Sequence, residues 1–290
     1  MISVIITIYN RKDKLERAIK SYLNQDYPDK ELILIDDGST DGSSDIAKSY
    51  ESYENIVYFF QENKGCAAAK NMGVKLASQK YITFLDSDDY YSHNKVLTIA
   101  AKELIKGYEF LSFNKVLMKY ISRDEIQSTN FNDNINLFEH MIHSPLNYAG
   151  KPPYFFDRKL FIDAGCLDEE SKWGDTINFW RKFLSPSRKT LILDEEGYSY
   201  DQTDTKSMGK LRDMTTYAYA FDSIKRAYEN NNKIIIEYKS EMVWGLVLLV
   251  YAIKSRNLSK IKFSLSLLTF GRFYLIPKSF YYLLKTKIIK

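Results

Sequence analysis

The stretch Tyr81-Ile82-Thr83-Phe84-Leu85-Asp86-Ser87-Asp88-Asp89 sets how the rest of the chain is read. Its first five residues, rich in β-branched and aromatic side chains, spell a buried strand, and three carboxylates follow at once. A strand ending in Asp-x-Asp carries hard oxygen ligands on a rigid support at the edge of a sheet. Mg²⁺ and Mn²⁺ suit such a site, because they bind through few carboxylates and take their remaining ligands from phosphate and water. The plainer alternative is an acidic turn capping a helix that starts near Ser92, since Asp and Ser are ordinary cap and turn residues.

The upstream segments bear on that choice. Ile2–Ile8 is a near-continuous apolar run, as in a parallel strand covered on both faces, and Tyr9-Asn10-Arg11 breaks it. Residues 12–24 then space Leu15, Ala18, Ile19, Tyr22 and Leu23 as a helix does. A second strand over 31–35 ends in Asp36-Asp37-Gly38-Ser39-Thr40-Asp41-Gly42, and Ser43 or Ser44 starts a helix running to about Tyr50. A third strand over 56–60 turns through Glu62-Asn63-Lys64-Gly65 into a helix over 66–78. This β-α-β-α-β-α-β alternation predicts a doubly wound, mostly parallel α/β sheet with helices on both faces. Ligands in such sheets sit beyond the carboxyl ends of the strands, which is where each polar cluster falls. Four clusters on one rim are hard to explain as turns alone. The rim lacks the Gly-x-Gly-x-x-Gly of a dinucleotide site and the Gly-Lys-Ser/Thr of a phosphate loop.

At 290 residues the chain is long enough for one large α/β domain and an appendage. Apolar runs stay short; the longest candidate, 242–253, ends in Lys254, so no spanning helix is expected. Met1–Ile6 leads directly into a strand, so no signal peptide is expected either, and a cytoplasmic location follows. Cys66 and Cys166 fit a reducing compartment and lie beside glycines without a nearby His, so neither is a candidate nucleophile. The net charge of +4 conceals an asymmetry: residues 206–290 carry 16 Lys and Arg against 5 Asp and Glu, and residues 1–205 carry 25 against 32.

In this order, Thr7-Ile8-Tyr9-Asn10, Ile35-Asp36-Asp37-Gly38-Ser39-Thr40-Asp41, Asn63-Lys64-Gly65, Ala69-Lys70-Asn71-Met72-Gly73 and Phe84-Leu85-Asp86-Ser87-Asp88-Asp89 resemble the inverting family 2 glycosyltransferases of the GT-A fold. The match is strong over the first third of the chain and weaker to about residue 200. The resemblance implies that Thr7, Tyr9 and Asp37 hold the nucleoside, with Tyr9 stacked on the base and Asp37 accepting its ring N–H. It implies that Asn63 and Lys70 contact base and phosphate, and that Asp86 contacts the ribose or metal-bound water. Ser87 completes the donor-binding set, and Asp88 binds Mn²⁺ or Mg²⁺. The chain departs from the family pattern at Thr7-Ile8, where a Pro usually precedes Tyr-Asn, and at Lys70, which brings charge but not the two-pronged fork of the usual Arg.

Further on, residues 106–119 include strand material, and the polar segment 120–134 reads as a surface turn or acceptor-side loop. A short helix over 136–143 carries His140 and His143, an ordinary half-exposed pair in the absence of a third ligand. Residues 154–164 resemble the family's acceptor-side strand and helix. Within 173–184, Ile177, Trp180, Phe183 and Leu184 form one apolar helical face with Asp175 at its first turn. Such a carboxylate is commonly a cap. In the family, a Gly-Asp or Glu-Asp pair here supplies the catalytic base, and Gly174-Asp175 resembles it. A helix N-terminus favours the ionised carboxylate, so Asp175 is expected to accept a proton at neutral pH. A strand over 191–193 follows, and residues 198–208, with Ser207, resemble the loop that closes over the diphosphate.

From residue 211 the text is helical, over 211–229, 234–254, 258–270 and 276–288. Two readings stay open. These helices pack on the catalytic domain or on a homodimer partner, or the last two lie on the inner face of a membrane and bury Phe263, Leu267, Leu268, Phe273, Tyr274 and Leu275. The expected division is a catalytic domain over 1–205, with a nucleotide-binding half (1–90) and an acceptor half (91–205), and a basic helical region over 206–290. The expected activity is metal-dependent, inverting transfer from a nucleotide-sugar, a UDP-sugar first, to a saccharide or lipid-linked saccharide in surface-polysaccharide synthesis, with no nucleic-acid partner. Against it stand a nucleotide-binding scaffold without turnover, which the presence of Asp37, Asp86, Asp88 and Asp175 disfavours, and a nucleotidyltransferase, which would need a Gly-rich loop after the first strand where Asn10-Arg11-Lys12-Asp13 has none.

Overall fold

The computed structural model describes residues 1–128, 151–171, 174, 176–185, 187–203, 214–230 and 241–270. The expected helix over 136–143 with its two histidines, Asp175, Ser207 and the helix over 276–288 lie outside the described residues. The chain divides into two compact units, one within Met1–Asn132, Ala149–Glu169 and Ser187–Thr205, the other taking in Glu170–Pro186 and Lys206–Lys290.

The first unit opens with β1 (Ile2–Ile8), α1 (Lys12–Leu23), β2 (Lys30–Asp37), α2 (Ser43–Lys48), β3 (Ile56–Gln61), α3 (Cys66–Leu76) and β4 (Tyr81–Phe84). Then come β5 (Tyr90–Tyr91), α4 (Val96–Leu104), β6 (Phe110–Lys119), β7 (Asp124–Ser128), β8 (Lys151–Asp157), α5 (Arg158–Asp163) and, after an excursion into the second unit, β9 (Thr190–Asp201). The strands form one sheet in the order β3-β2-β1-β4-β8-β6-β9-β5, with β7 added beside β6. The first four are mutually parallel, whereas β8 pairs antiparallel with both β4 and β6, and β6 and β9 run parallel again.

β1 is inaccessible on both faces at Ile2, Val4, Ile5, Ile6 and Ile8. Burial of each such side chain contributes roughly 1.5–3 kcal/mol, which is why a parallel strand covered by helices reads as an unbroken apolar run. α1 lays Leu15, Ala18, Ile19 and Tyr22 on one side of the sheet. α3 approaches from the other, close enough that a Cβ on Gly73 would stand 2.3 Å from Ile5 Cγ2. The chain winds from β1 through β2 to β3 and then returns to the opposite side of β1 as β4, so strand order reverses between β1 and β4.

Three local expectations need correction. The segment read as a surface loop over 120–134 contains the strand β7, disguised because its one apolar residue, Ile126, is exposed among polar neighbours. Tyr198 to Asp201, read as part of a closing loop, is strand: Tyr198 and Ser199 pair with Tyr91 and Tyr90, and Ser199 to Asp201 with the end of β6. The helix after the acidic turn starts at Val96 rather than near Ser92.

The second unit contains α6 (Thr176–Phe183), α7 (Met214–Asn230), α8 (Glu241–Lys254) and α9 (Leu258–Phe270). Phe221, Ile224, Ala227, Trp244, Val247, Leu248 and Ala252 form its core. Phe263, one of the side chains that the membrane reading would bury in lipid and the packing reading in protein, packs against this core, 6.3 Å from Phe221, with Lys225 Nζ over its ring at 5.0 Å. Inside a helical cluster that ring loses water without needing a bilayer. Among the described residues, no helix is long and apolar enough to cross a membrane.

Candidate functional site

The rim at the carboxyl ends of β1 to β4 is built from two acidic turns of opposite character. In the first, Asp36 and Asp37 close β2 and are almost wholly buried. Asp36 Oδ1 accepts the Ser39 amide at 2.9 Å, and its Oδ2 accepts from Tyr58 at 3.0 Å and from the Ser44 hydroxyl. Asp37 Oδ1 accepts from Gln61 Nε2 at 2.7 Å and Lys64 N at 2.8 Å, and Oδ2 from Gly65 N at 2.9 Å. A carboxylate has about four lone-pair sites, so among the described residues Asp37 retains one on Oδ2.

The loop after β1 is stitched to this turn. Asn10 takes the left-handed conformation (φ 52°), which Asn tolerates, and its Oδ1 accepts from Thr40 N at 2.8 Å while its own N–H donates to Ser39 Oγ at 3.1 Å. Arg11 N donates to Ser43 Oγ and Lys12 N to Asp41 Oδ2. Tyr9, immediately before, therefore sits on a fixed loop with half its surface exposed. Gly38, at φ +81°, lies so near Asn63 that a Cβ there would stand 2.9 Å from Asn63 N. That contact brings exposed Asn63 beside the Asp37 turn.

The second turn follows β4, which Leu85 N extends by donating to Ile5 O at 3.0 Å. Asp86 Oδ1 lies 3.6 Å from Lys70 Nζ, and Asp88 Oδ2 lies 3.6 Å from Arg11 Nε. Lys70, on α3, also stands 5.6 Å from the Phe84 ring centre, and Cys66 Sγ, one turn earlier on that helix, lies 3.9 Å from Thr7 Oγ1. Ser87, between the two acids, is buried. Thr7, Lys70, Asp86, Ser87 and Asp88 thus gather at the β1–β4 reversal, while Tyr9, Asp37 and Asn63 line the same rim toward β2 and β3.

Burial pushes the Asp88 carboxyl above its ordinary range, and the charge of Asp86 adds to this, with Arg11 acting in the opposite direction. Asp89, more deeply buried, is pushed well above its ordinary value by burial and then by Asp86 and Asp88. Two neighbouring carboxylates whose nearest cations among the described residues stand at 3.6 Å are an arrangement that a divalent ion would relieve. No group of three or more His, Cys, Asp or Glu side chains that could hold a metal occurs among the described residues. The donor set fits Mg²⁺ or Mn²⁺ held through one or two carboxylates, with phosphate and water as the other ligands, better than a cage closed by protein.

Sequence reasoning missed the residues that hold this turn from behind. Tyr198 OH accepts from Asp86 N at 3.2 Å. Arg17 Nη2 donates to the Asp88 carbonyl oxygen at 2.7 Å and to Asp201 Oδ2 at 2.6 Å. Nothing in the text marks a lone Arg on α1 or an Asp more than a hundred residues downstream as partners. The proposed base, Asp175, lies outside the described residues.

Comparison with known proteins gives concordant findings. The family model described as "Glycosyl transferase family 2" matches residues 3–151, about half of the chain. An uncharacterized glycosyltransferase of Rickettsia typhi is 32% identical over 205 residues, covering 68% of this chain and 62% of that protein. A putative teichuronic acid biosynthesis glycosyltransferase, TuaG of Bacillus subtilis, is 39% identical over 98 residues, or 33% of this chain and 39% of its own. The chain thus spans less than two thirds of the length of either relative. Among solved structures, S. aureus TarS residues 1–349 in complex with UDP-GlcNAc aligns with a TM-score of 0.63 at 19% identity, covering 95% of this chain and 74% of that one. The last likeness concerns the fold.

Proposed function

The chain belongs to glycosyl transferase family 2, and from that premise we propose that it transfers a sugar from a nucleotide-sugar, a UDP-sugar in the first instance, to a hydroxyl of a saccharide or lipid-linked saccharide acceptor with inversion at the anomeric carbon. The observation that carries this reading is the convergence of Thr7, Lys70, Asp86 and Asp88 where strand order reverses, with exposed Tyr9 and the spare Asp37 lone pair on the same rim. Tyr9 stacks on the base, and Asp37 Oδ2 accepts its ring N–H while the remaining lone pairs keep the β3–α3 turn in place. Asn63 contacts the base edge and Lys70 the diphosphate. Asp88, with Asp86 and Ser87 beside it, holds Mn²⁺ or Mg²⁺, whose charge, when bound, stabilises the departing diphosphate.

Asp175 removes the proton from the acceptor hydroxyl as its oxygen attacks the anomeric carbon. The carbon–oxygen bond to the diphosphate breaks on the opposite face, so an α-linked donor yields a β-glycoside and no covalent enzyme intermediate forms. Surface-polysaccharide assembly as the setting is supported by the printed description of TuaG and by the excess of Lys and Arg over residues 206–290. A homodimer and a peripheral membrane contact of those helices belong to the same proposal; Leu258 and Leu265 are the apolar side chains that α9 leaves exposed among those described.

The test is a melting-temperature panel of nucleotides and nucleotide-sugars with and without Mn²⁺, followed by transfer assays with the donor that stabilises most. UDP and a UDP-sugar are expected to stabilise, more so with Mn²⁺. Asp175→Asn is expected to keep donor binding and to lose transfer by on the order of a hundredfold or more. Full activity in that variant removes Asp175 as the base.

A further inference from the structure

The acidic turn is gripped from the side away from Lys70. Arg17 projects from α1 with its guanidinium 4.5 Å over the Tyr90 ring, and one nitrogen serves both the Asp88 carbonyl oxygen and Asp201 Oδ2, at 2.7 and 2.6 Å. Asp201, at the end of β9, has a side chain only 3% exposed. Its Oδ1 accepts from Thr203 N at 2.8 Å and Thr203 Oγ1 at 2.5 Å, and Lys14 Nζ stands 3.3 Å from Oδ2. Its own main-chain N–H donates to Asp89 Oδ1 at 2.8 Å. One residue of β9 thus holds two consecutive residues of the turn, Asp89 directly and Asp88 through Arg17.

The choice of atom matters. Asp86 and Asp88 repel one another, and a turn that carries both relaxes by swinging its main chain apart. Each carboxylate already has one cation at 3.6 Å, Lys70 beside Asp86 and Arg11 beside Asp88, and a second in close contact would neutralise the charge that a metal needs. Arg17 meets the Asp88 carbonyl oxygen instead, so it fixes the main chain without adding a second cation to the carboxylate. Asp201 keeps Arg17 there, and hydrogen bonds from Thr203 and Arg17 outweigh the upward effect of burial, holding its carboxyl below the usual range.

We propose that Arg17 and Asp201 are positioning residues that set the Asp88 main chain and so hold the Asp86 and Asp88 carboxylates at the spacing that grips a divalent cation. The proposal rests on the glycosyltransferase reading above. Groups that orient metal ligands from behind typically change affinity 10–100-fold when removed. The experiment titrates MnCl₂ into the full chain with saturating UDP and reads free Mn²⁺ by electron paramagnetic resonance, with UDP affinity measured separately in EDTA. Arg17→Ala is expected to weaken Mn²⁺ binding about tenfold or more, with UDP affinity in EDTA within about threefold of wild type. Arg17→Lys recovers part of the loss, since an ammonium reaches the carbonyl but cannot stack flat on Tyr90. A folded Arg17→Ala protein that binds Mn²⁺ as wild type does overturns the proposal, as does an equal loss of UDP affinity in EDTA. If Arg17→Ala does not fold, Arg17→Lys decides alone: weaker Mn²⁺ binding supports the clamp, and unchanged binding overturns it. Wild-type protein that binds UDP but not Mn²⁺ overturns this inference alone, whereas binding of neither overturns the reading beneath it.

Discussion

Two acid pairs, Asp36-Asp37 and Asp88-Asp89, follow strands of the same sheet and look alike as text, yet they are built to different ends. Each carboxylate of the first pair is surrounded by donors from Ser39, Ser44, Tyr58, Gln61, Lys64 and Gly65, so burial costs it little. In the second turn the donors go to main-chain atoms and to Asp89, while Asp86 and Asp88 meet cations at 3.6 Å among the described residues. A satisfied carboxylate organises the protein around it. One with fewer donors, held rigidly, is what the proposed metal site requires.

The comparison breaks most visibly at Asp88. Asp88→Asn is expected to lower transfer by on the order of a thousandfold, in the range of losing one transition-state charge stabiliser, with the melting temperature unchanged or raised. A large fall in stability instead would make the second turn as structural as the first. Asp37→Ala should do the reverse: three donors lose their acceptor, costing about 3 kcal/mol in chemical denaturation before any effect on catalysis is considered. A melting curve like that of wild type would mean that Asp37 serves the ligand alone.

Asp201→Asn sharpens the contrast by loosening only the support of the second turn. It is expected to cost about 2 kcal/mol at neutral pH, because Arg17 and Lys14 keep a neutral partner in place of a charged one. The folded-state pKa of Asp201 is depressed, so its contribution is complete above the ordinary carboxylate value of about 4 and is lost as pH falls through the depressed one. The stability gap between wild type and Asp201→Asn, followed by denaturation at each pH, should therefore close on acidification; a gap that widens refutes the assignment. The smallest effect is expected from Lys70→Arg, which restores the fork common in the family and should move the donor KM by no more than about threefold, under ~1 kcal/mol. A hundredfold change would place Lys70 in a tighter role than a diffuse positive charge.

Legibility followed burial. β1, β2 and β4 were readable to within a residue or two because they lie inside the sheet and are buried, which writes them as apolar runs closed by polar turns, and β3 kept an apolar text although it is the edge strand with Val57 and Phe60 exposed. The rim residues were readable because strand ends in a doubly wound sheet converge by topology. β5 is a two-residue strand and β7 a polar one, and neither leaves a period to find. The carboxyl-terminal part of β9 was obscured by Asp194-Glu195-Glu196-Gly197, a sequence that reads as a break although the strand runs through it. Arg17 and Asp201 were invisible because their relation is purely spatial, 184 residues apart along the chain. The buried role of Asp37 was half legible: the sequence pointed to a ligand, and the fold adds three internal donors to the same carboxylate.

The contact of Gly73 with Ile5 has a consequence for anyone who would vary this protein. Position 73 lies one helical turn beyond Lys70, so a methyl group wedged against β1 would tilt α3 and carry the ammonium away from Asp86. A saturation library along this helix, selected for catalysis, should return glycine alone at 73 and a broad spectrum at outward-facing Leu76. The shortest side chain on the helix governs the reach of one of its longest.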